Sequence, residues 1–432
     1  MRLTNVTQMA LPAGRVYSLE LPAVDRVPGK PLPISFDQRR HVGEGDRAGS
    51  WMAIAARIPA GTTREDLARA WKAVVARHGT LRTAFRHVDG MMTLETVELG
   101  PGVWRHHPAA DGQLTREIVR VVFDRTCRPF ARPSHRLCVV EPDDTVTDRR
   151  PVVVVGGDHS HLDMWSLKVL VRDLLAALPD QRTGRSAPLS TAAPFAEHTA
   201  LLESLPPSPD EVHLRWAEIL DAAGGVMPRF PLPLGDLSSV RNEVVDVRDV
   251  LDAGELARIE EEASRAGIRL IVRAMSILTA VMARTASAPL RAVFPVHSRT
   301  EPRWHDAVGW FITNTVLECG DTDPAACAAA VRQAIELGSH PLGPILAPYG
   351  GMPASPGMFA LSWLDARRLP VQLDPDLELQ YVSAVVPTDG VMIWFIVTTS
   401  GLHLRCRYPD TARARVSVSG WLDEIQRAFR VA

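Results

Sequence analysis

The segment Pro151–Ser166, with the sequence PVVVVGGDHSHLDMWS, constrains the fold of this chain most. Four consecutive valines predict a short buried strand, and the apolar residues that follow recur at helical spacing: Leu167, Leu170, Val171, Leu174, Leu175 and Leu178. A buried strand that leads into a core-facing helix predicts a mixed α/β architecture. Gly156 and Gly157 let the backbone turn sharply between the two elements and allow another chain or a ligand to come close, and such a turn is a usual place for reactive groups.

The length of the chain requires more than one core. Its 432 residues exceed what a single hydrophobic core usually supports. Prolines concentrate between Leu205 and Leu234 around one short helical stretch, Glu211–Ala222, as in inter-domain crossovers. We therefore predict an N-terminal subdomain over residues 1–204, a Pro-rich crossover over 205–239 and a C-terminal subdomain over 240–432.

Local signals indicate helices and strands in both halves. Thr63 is predicted to cap a helix that Gly79 ends, with Leu67, Trp71 and Val74 on its buried face. Short runs rich in β-branched residues predict strands in both halves, among them residues 51–58, 290–296, 391–398 and 402–408.

Charge and cysteine content exclude several classes of protein. The chain has 48 basic and 50 acidic side chains, so no net field attracts nucleic acid or anionic lipid. Its five cysteines are scattered without a C-x-x-C pair, which argues against a disulfide framework or a structural zinc site and favours a reducing cytoplasm. The start has no signal peptide pattern, and Arg269 and Arg273 interrupt the most hydrophobic stretch, so we expect no membrane span.

The polar cluster after the valine run permits three interpretations. Asp163 can be the N-cap of the following helix, with both histidines in a solvated turn. Alternatively, His159, His161 and Asp163 resemble the HxHxDH metal motif of the metallo-β-lactamase fold, although its last histidine is Met164 here. In the third interpretation His159 and Asp163 form an HxxxD pair, in which the imidazole takes a proton from a nucleophile and the carboxylate holds the surrounding structure.

The HxxxD interpretation agrees with further motifs in the same order along the chain. The segment Asp158–Met164 resembles the HHxxxDG motif of the condensation-domain and chloramphenicol-acetyltransferase-like superfamily, with Asp158 in place of the first histidine and Met164 in place of the glycine. The other similar segments are PISFDQRR at 33–40, RHGTLRTAF at 77–85, HSRT at 297–300, VGWFITNT at 308–315, FALSWLD at 359–365 and GLHLRCRY at 401–408.

The resemblance implies an α/β (α+β, two-layer) fold of two chloramphenicol-acetyltransferase-like subdomains arranged in a V, with a central tunnel. It makes His159 the catalytic base and Asp163 a structural residue that pairs with an arginine, Arg299 as the first choice and Arg82 as the second. Pairing would offset the cost of burying the carboxylate. Candidates for the tunnel wall or acceptor pocket are Asp158, His161, Met164, Trp165, Asn314, Ser362 and Trp363.

The same resemblance implies a free-standing acyltransferase of bacterial natural-product biosynthesis. Its donor would be a thioester on an acyl or peptidyl carrier protein acting in trans, or on coenzyme A, and its acceptor a small amine or alcohol. We expect a monomer without a metal or other cofactor. The departures at Asp158 and Met164 leave open an inactive module that docks a carrier protein. A metallo-hydrolase using His159, His161 and Asp163 is the second alternative.

Overall fold

The computed structural model describes residues 2–179 and 188–432. The chain divides into two compact units. The first comprises Met1–Ser204, Arg299–Phe311 and Leu369–Val385, and the second comprises Leu205–Ser298, Ile312–Arg368 and Val386–Ala432. Both units combine helices with a β-sheet, so the predicted mixed α/β class with two subdomains is confirmed. Two segments beyond the Pro-rich crossover belong to the first unit, which a single division near residue 205 does not describe.

The described residues form strands and helices along the whole chain. The strands are β1 (Arg2–Asn5), β2 (Gly14–Glu20), β3 (Ala23–Arg26), β4 (Trp51–Arg57), β5 (Thr83–Val88), β6 (Met91–Leu99), β7 (Val103–His107), β8 (His135–Pro142), β9 (Val152–Asp158), β10 (Glu243–Asp252), β11 (Leu290–His297), β12 (Ile312–Cys319), β13 (Phe359–Asp365), β14 (Gln380–Ser383), β15 (Val391–Thr398) and β16 (Gly401–Pro409). The α-helices are α1 (Phe36–Gly43), α2 (Arg64–Arg77), α3 (Thr115–Thr126), α4 (Met164–Ala177), α5 (Phe195–Glu203), α6 (Asp210–Asp221), α7 (Ala253–Arg265), α8 (Leu270–Ala286), α9 (Pro324–Leu337), α10 (Leu342–Leu346) and α11 (Ala412–Val431).

A seven-stranded sheet with the order β1-β14-β4-β9-β8-β2-β7 forms the centre of the first unit, beside a three-stranded sheet with the order β3-β6-β5. The strand that carries the valine run, β9, is central and antiparallel to both β4 and β8. All seven of its residues are buried, as a run without polar alternation predicts. The late strand β14 pairs with β1 and β4, which explains why residues 369–385 belong to this unit.

Helix α2 packs against α4 at the start of the segment RHGTLRTAF, residues 77–85. Thr63 caps α2 in a capping box with Asp66, as predicted. At the other end of the helix, Arg77 Nη1 and His78 Nε2 both contact Asp173 Oδ2 of α4, at 2.8 and 2.7 Å. All three side chains are buried, so this part of the motif has an architectural role in holding α2 to α4.

The second unit is built on a six-stranded sheet with the order β10-β16-β15-β13-β11-β12. Its core contains the apolar faces of α7, α8, α9 and α11, and of one side of the sheet. No single helix of the described residues is long and apolar enough to cross a membrane. By length and composition α7 and α8 pass that test only as a pair, across a bend of 101°.

Candidate active site

The HxxxD motif lies on a tight connection between β9 and α4. Strand β9 ends at Asp158, a 3-10 helix spans His159–His161, and α4 begins at Met164. Asp163 is the N-cap of α4, and its Oδ1 accepts a hydrogen bond from the Ser166 backbone N–H at 2.6 Å. The connection therefore fixes the backbone on both sides of His159.

Gly156 and Gly157 lie inside β9, so the prediction that they form the turn is wrong. A Cβ on Gly156 would come within 3.0 Å of the Ala53 Cβ, and one on Gly157 within 2.9 Å of Leu162 Cδ1. The two glycines allow neighbouring side chains to pack closely against this part of β9. The turn follows them, at residues 159–161.

His159 is partly exposed, whereas the other residues from Pro151 to Asp163 are buried. Its backbone N–H donates to the Ser50 carbonyl at 2.9 Å. Its ring lies against the indole of Trp310, with centroids 4.1 Å apart and planes inclined by 32°. Backbone and ring contacts thus hold the imidazole in one place while part of it stays accessible.

The imidazole of His159 is neutral at pH 7. Desolvation is the largest cause and lowers the pKa of His159 to about 4, against the opposing effect of Asp158 and Asp163. A neutral imidazole can accept a proton. Its Nδ1 is buried without a hydrogen-bond partner among the described residues.

Asp163 and Arg299 form a buried ion pair. Arg299 Nη2 donates to Asp163 Oδ1 and Oδ2 at 3.0 and 3.1 Å, and the side chains are 0% and 2% exposed. The Phe311 backbone N–H donates to Asp163 Oδ2 at 3.1 Å. Of the two arginines considered as partners for Asp163, Arg299 makes the contact. No hydrogen bond or ion pair joins Arg82 to Asp163 in the part of the chain that the structure describes.

Arg299 also organises the segment that follows it. Its Nη1 donates to the carbonyls of Trp304 and Ala307, each at 2.7 Å, and its Nη2 donates to Ser166 Oγ at 2.8 Å. The guanidinium lies 3.9 Å from the centroid of the Phe311 ring. Burial lowers the pKa of Arg299, and Asp163 opposes that effect. This network fixes residues 299–311 against the first turn of α4.

Asp158 is fully buried and its carboxylate is surrounded by donors. His41 Nε2 lies 3.2 Å from Oδ1, the Ser160 N–H and hydroxyl donate to Oδ1, and the Ser50 hydroxyl donates to Oδ2. Burial disfavours the carboxylate, but these hydrogen bonds outweigh it and lower the pKa of Asp158 to about 2. Asp158 is therefore an ionised, buried residue. It is not exposed on a tunnel wall or acceptor pocket, where it was predicted from the sequence.

His161 contacts neither His159 nor Asp163 through its ring nitrogens. Its Nδ1 lies 3.0 Å from Ser134 Oγ and 2.9 Å from Ser160 Oγ, and burial lowers the pKa of His161 to about 4. The Asp163 oxygens already accept hydrogen bonds from Arg299 and Phe311. Within residues 2–179 and 188–432, no three or more His, Cys, Asp or Glu side chains group as metal ligands.

Met164 and Trp165 begin helix α4. Met164 is partly exposed and has an ordinary helical backbone without positive φ, so replacing the motif's glycine does not divert the chain here. The Trp165 indole N–H donates to the His305 carbonyl at 2.9 Å. Met164 is thus the one motif residue after His159 that is partly exposed, and Trp165 helps to hold the segment 299–311.

Three candidates, Asn314, Ser362 and Trp363, lie in the second unit. Asn314 is on β12, opposite Pro295 of β11. Ser362 and Trp363 are neighbours on β13 and point to opposite faces of the sheet. Trp363 packs against the core near Phe395, so Ser362 faces away from that core. Their roles beside His159 remain predictions.

Two residues next to His159 were not among the sequence candidates. His41 lies on α1, just after the segment PISFDQRR, and its ring centroid is 6.1 Å from that of His159 and 5.3 Å from that of Trp310. Trp310 is inside the segment VGWFITNT. The only sequence signal for His41 is its position just after a motif, and the only one for Trp310 is its position inside a motif.

Comparisons with known proteins agree with this fold. The family model described as Condensation domain matches residues 43–334. Acyltransferase PapA3 of Mycobacterium tuberculosis is 24% identical over 94% of this chain and 90% of its own length. A probable non-canonical nonribosomal peptide synthetase, CymA of Salinispora arenicola, is 31% identical over 69% of this chain, which spans only 4% of that protein.

Solved structures show the same fold. PapA2 acyl transferase superimposes with a TM-score of 0.83 at 18% identity and covers 99% of both chains. The X-domain from teicoplanin biosynthesis gives a TM-score of 0.71 at 17% identity over 95% of this chain and 96% of its own. The chain belongs to the condensation-domain family. The predicted family and the predicted class of enzyme, an acyltransferase, are both confirmed, and the general activity is acyl transfer in natural-product biosynthesis.

Proposed function

We propose that the protein transfers an acyl group from a thioester to a small amine or alcohol, with His159 as the general base. His159 supports this proposal most directly, because it combines partial exposure, a fixed ring and a neutral imidazole, whereas Asp158 and residues 160–163 are buried. The reaction needs no redox step or external activation, since a thioester is already an activated acyl donor. Positioning and proton transfer are the contributions required of the protein.

In the proposed reaction the acceptor N–H or O–H approaches the imidazole of His159. The acceptor attacks the thioester carbonyl and forms the new C–N or C–O bond, while His159 takes its proton. The tetrahedral intermediate then collapses with cleavage of the C–S bond, and the imidazolium returns the proton to the departing sulfur. The products are an amide or ester and a free thiol, and His159 is neutral again. Asp158 and Asp163 favour the imidazolium that forms in between.

Asp163 and Arg299 act in this proposal as positioning residues. The carboxylate accepts from Ser166 and Phe311 as well as Arg299, so its hydrogen bonds are directed away from His159. By joining the first turn of α4 to residues 299–311, the pair keeps Trp310 against the His159 ring. A small displacement of a catalytic group can cost about a hundredfold in rate, which is why such a pair matters.

We propose that the donor is presented by a carrier protein in trans or by coenzyme A, and that no metal or organic cofactor takes part. The relationship to nonribosomal peptide synthetases and to free acyltransferases supports both kinds of donor. A direct test incubates the purified chain with acyl thioesters of increasing length, each offered as the coenzyme A ester and on phosphopantetheinylated carrier protein, together with pooled amines and alcohols. Mass spectrometry then detects new amides or esters.

The outcome of this assay separates the alternatives. Product that depends on the chain and is unaffected by a metal chelator supports the proposal. Stable binding of the acyl carrier protein without any turnover across the panel would instead indicate a docking module. Stoichiometric zinc or iron in the purified protein, with activity lost on chelation, would indicate the metallo-hydrolase.

A further inference from the structure

A second histidine, His41, forms a continuous hydrogen-bonded chain with charged groups below His159. Arg47 Nη2 lies 3.1 Å from His41 Nδ1, and His41 Nε2 lies 3.2 Å from Asp158 Oδ1. Arg47 also donates to the His41 backbone carbonyl at 2.9 Å and pairs with Glu44 at 2.9 Å. The His41 side chain is only 13% exposed, so solvent competes little for these contacts.

The partners of His41 determine its tautomer. Arginine can only donate, so Nδ1 facing Arg47 must be an acceptor and carries no proton. The ring proton is therefore on Nε2 and points to the carboxylate of Asp158. Hydrogen bonds thus link Arg47, the His41 ring and the Asp158 carboxylate.

Asp158 needs such a partner because it immediately precedes His159. Its oxygens accept from His41, Ser50 and Ser160, and His159 Nδ1 has no hydrogen-bond partner among the described residues. An ionised carboxylate without these donors would compete for the His159 ring and hold its proton. The resemblance noted above places Asp158 where the motif has a histidine, and His41 brings an imidazole to that side of the site from α1.

We propose that His41 is a positioning residue for acyl transfer, which engages Asp158 so that this carboxylate does not pair with His159. The role rests on the proposed function of His159 as the base. The groups around His159 are His41 from α1, Asp158 from β9, Asp163 at the start of α4 and Trp310 from the segment 299–311. Among them, His41 is the side chain whose Nε2 contacts Asp158.

The first test needs no substrate. Protein labelled with ¹⁵N-histidine is titrated by NMR, and His41 should show the tautomer that carries its proton on Nε2. In His41→Leu, the His159 signal should titrate at higher pH than in the native protein, because Asp158 is released toward it. A proton on Nδ1 of His41, or an unchanged His159 titration in His41→Leu, would overturn the proposal. His106→Leu, at an exposed histidine of β7, is the matched control.

The second test uses two variants that separate the hydrogen bonds of His41 from its ring. His41→Gln can still accept from Arg47 and donate to Asp158, whereas His41→Phe keeps a ring against Trp310 without either hydrogen bond. With a thioester that the native protein turns over, kcat of His41→Phe should fall about tenfold to a hundredfold with KM nearly unchanged. The variant His41→Gln should keep most of the native kcat. Equal loss in both variants, or full activity of His41→Phe, would contradict the role.

These two tests distinguish failure of the inference from failure of the proposed function. If His159→Ala retains activity, His159 is not the base. The proposed role of His41 in acyl transfer is then also wrong, even if the NMR results are as expected. If His159→Ala is inactive while His41→Phe is fully active, the proposed function stands and the inference about His41 is wrong. Thermal melting of each variant checks that the loss is not one of folding.

Discussion

Arg299 donates hydrogen bonds to both carboxylate oxygens of Asp163, and neither side chain has more than 2% of its surface exposed. The pair joins residues that are far apart in sequence and ties α4 to the segment 299–311. Because the arginine has three further acceptors, Trp304, Ala307 and Ser166, its charge is compensated only if the whole segment is in place. The ion pair therefore links local folding of this segment to the geometry around His159.

Asp163→Asn should destabilise the fold strongly. Removing one charge of a buried pair leaves the other uncompensated, which costs about 3–5 kcal/mol. Urea unfolding measures the loss in free energy of unfolding. Asp252→Asn is the matched control, because Asp252 also caps a helix but is exposed and pairs with no buried arginine among residues 2–179 and 188–432. A native-like free energy of unfolding for Asp163→Asn, combined with loss of activity, would show that Asp163 acts in chemistry and not in folding.

Gly309→Ala should displace the segment that carries Trp310. A Cβ at Gly309 would come within 2.3 Å of the Phe195 ring, and the Gly309 N–H and carbonyl both bond to Ser166 Oγ. Overpacking of this kind costs about 1–3 kcal/mol. Gly420→Ala is the control of opposite sign, because Gly420 lies within α11 with open space around it. This variant should gain about 0.5–1 kcal/mol in free energy of unfolding. Equal melting temperatures for the two variants would contradict the packing.

Histidines that desolvation keeps neutral should make the fold sensitive to mild acid. Burial lowers the pKa of His159 and of His161 to about 4 and that of His135 to about 3. In the unfolded chain these residues titrate near pH 6.5, so between about pH 6.5 and pH 4 the unfolded state binds more protons than the folded state. The free energy of unfolding should therefore fall as the pH falls through this window.

Denaturant unfolding at intervals between pH 7 and pH 4.5 measures that dependence. His161→Gln should flatten this dependence, because one group with a lowered pKa is removed, and His106→Gln, at an exposed position, is the control for the substitution itself. A free energy of unfolding that does not depend on pH in the native protein would show that these histidines bind protons equally in both states.

Much of the fold follows from local sequence patterns. The capping box at Thr63 and the strand Val391–Thr398 lie where capping rules and β-branched runs predict them. Patterns of this kind depend on neighbouring residues and are visible in one sequence. The HxxxD pair and the first choice of arginine came from motifs in the same order as in a known family.

The remaining features depend on contacts between distant segments. No local pattern shows that β14 inserts between β1 and β4, or that residues 299–311 pack on the first unit. His41 follows Arg40 on a short helix with little apolar periodicity, and only the fold brings it to Asp158. Gly156 and Gly157 were predicted to turn because glycine permits turns, whereas the tight contacts of β9 are what require them.

The most direct measurement of the central claim is acyl transfer by His159→Ala with a thioester and acceptor that the native protein turns over. A positioned acid-base group contributes about 10²–10⁴ in rate, so kcat should fall by that factor while the melting temperature stays near that of the native protein. His106→Ala should retain full activity. Turnover by a folded His159→Ala within a few-fold of the native rate would contradict the assignment of His159 as the base.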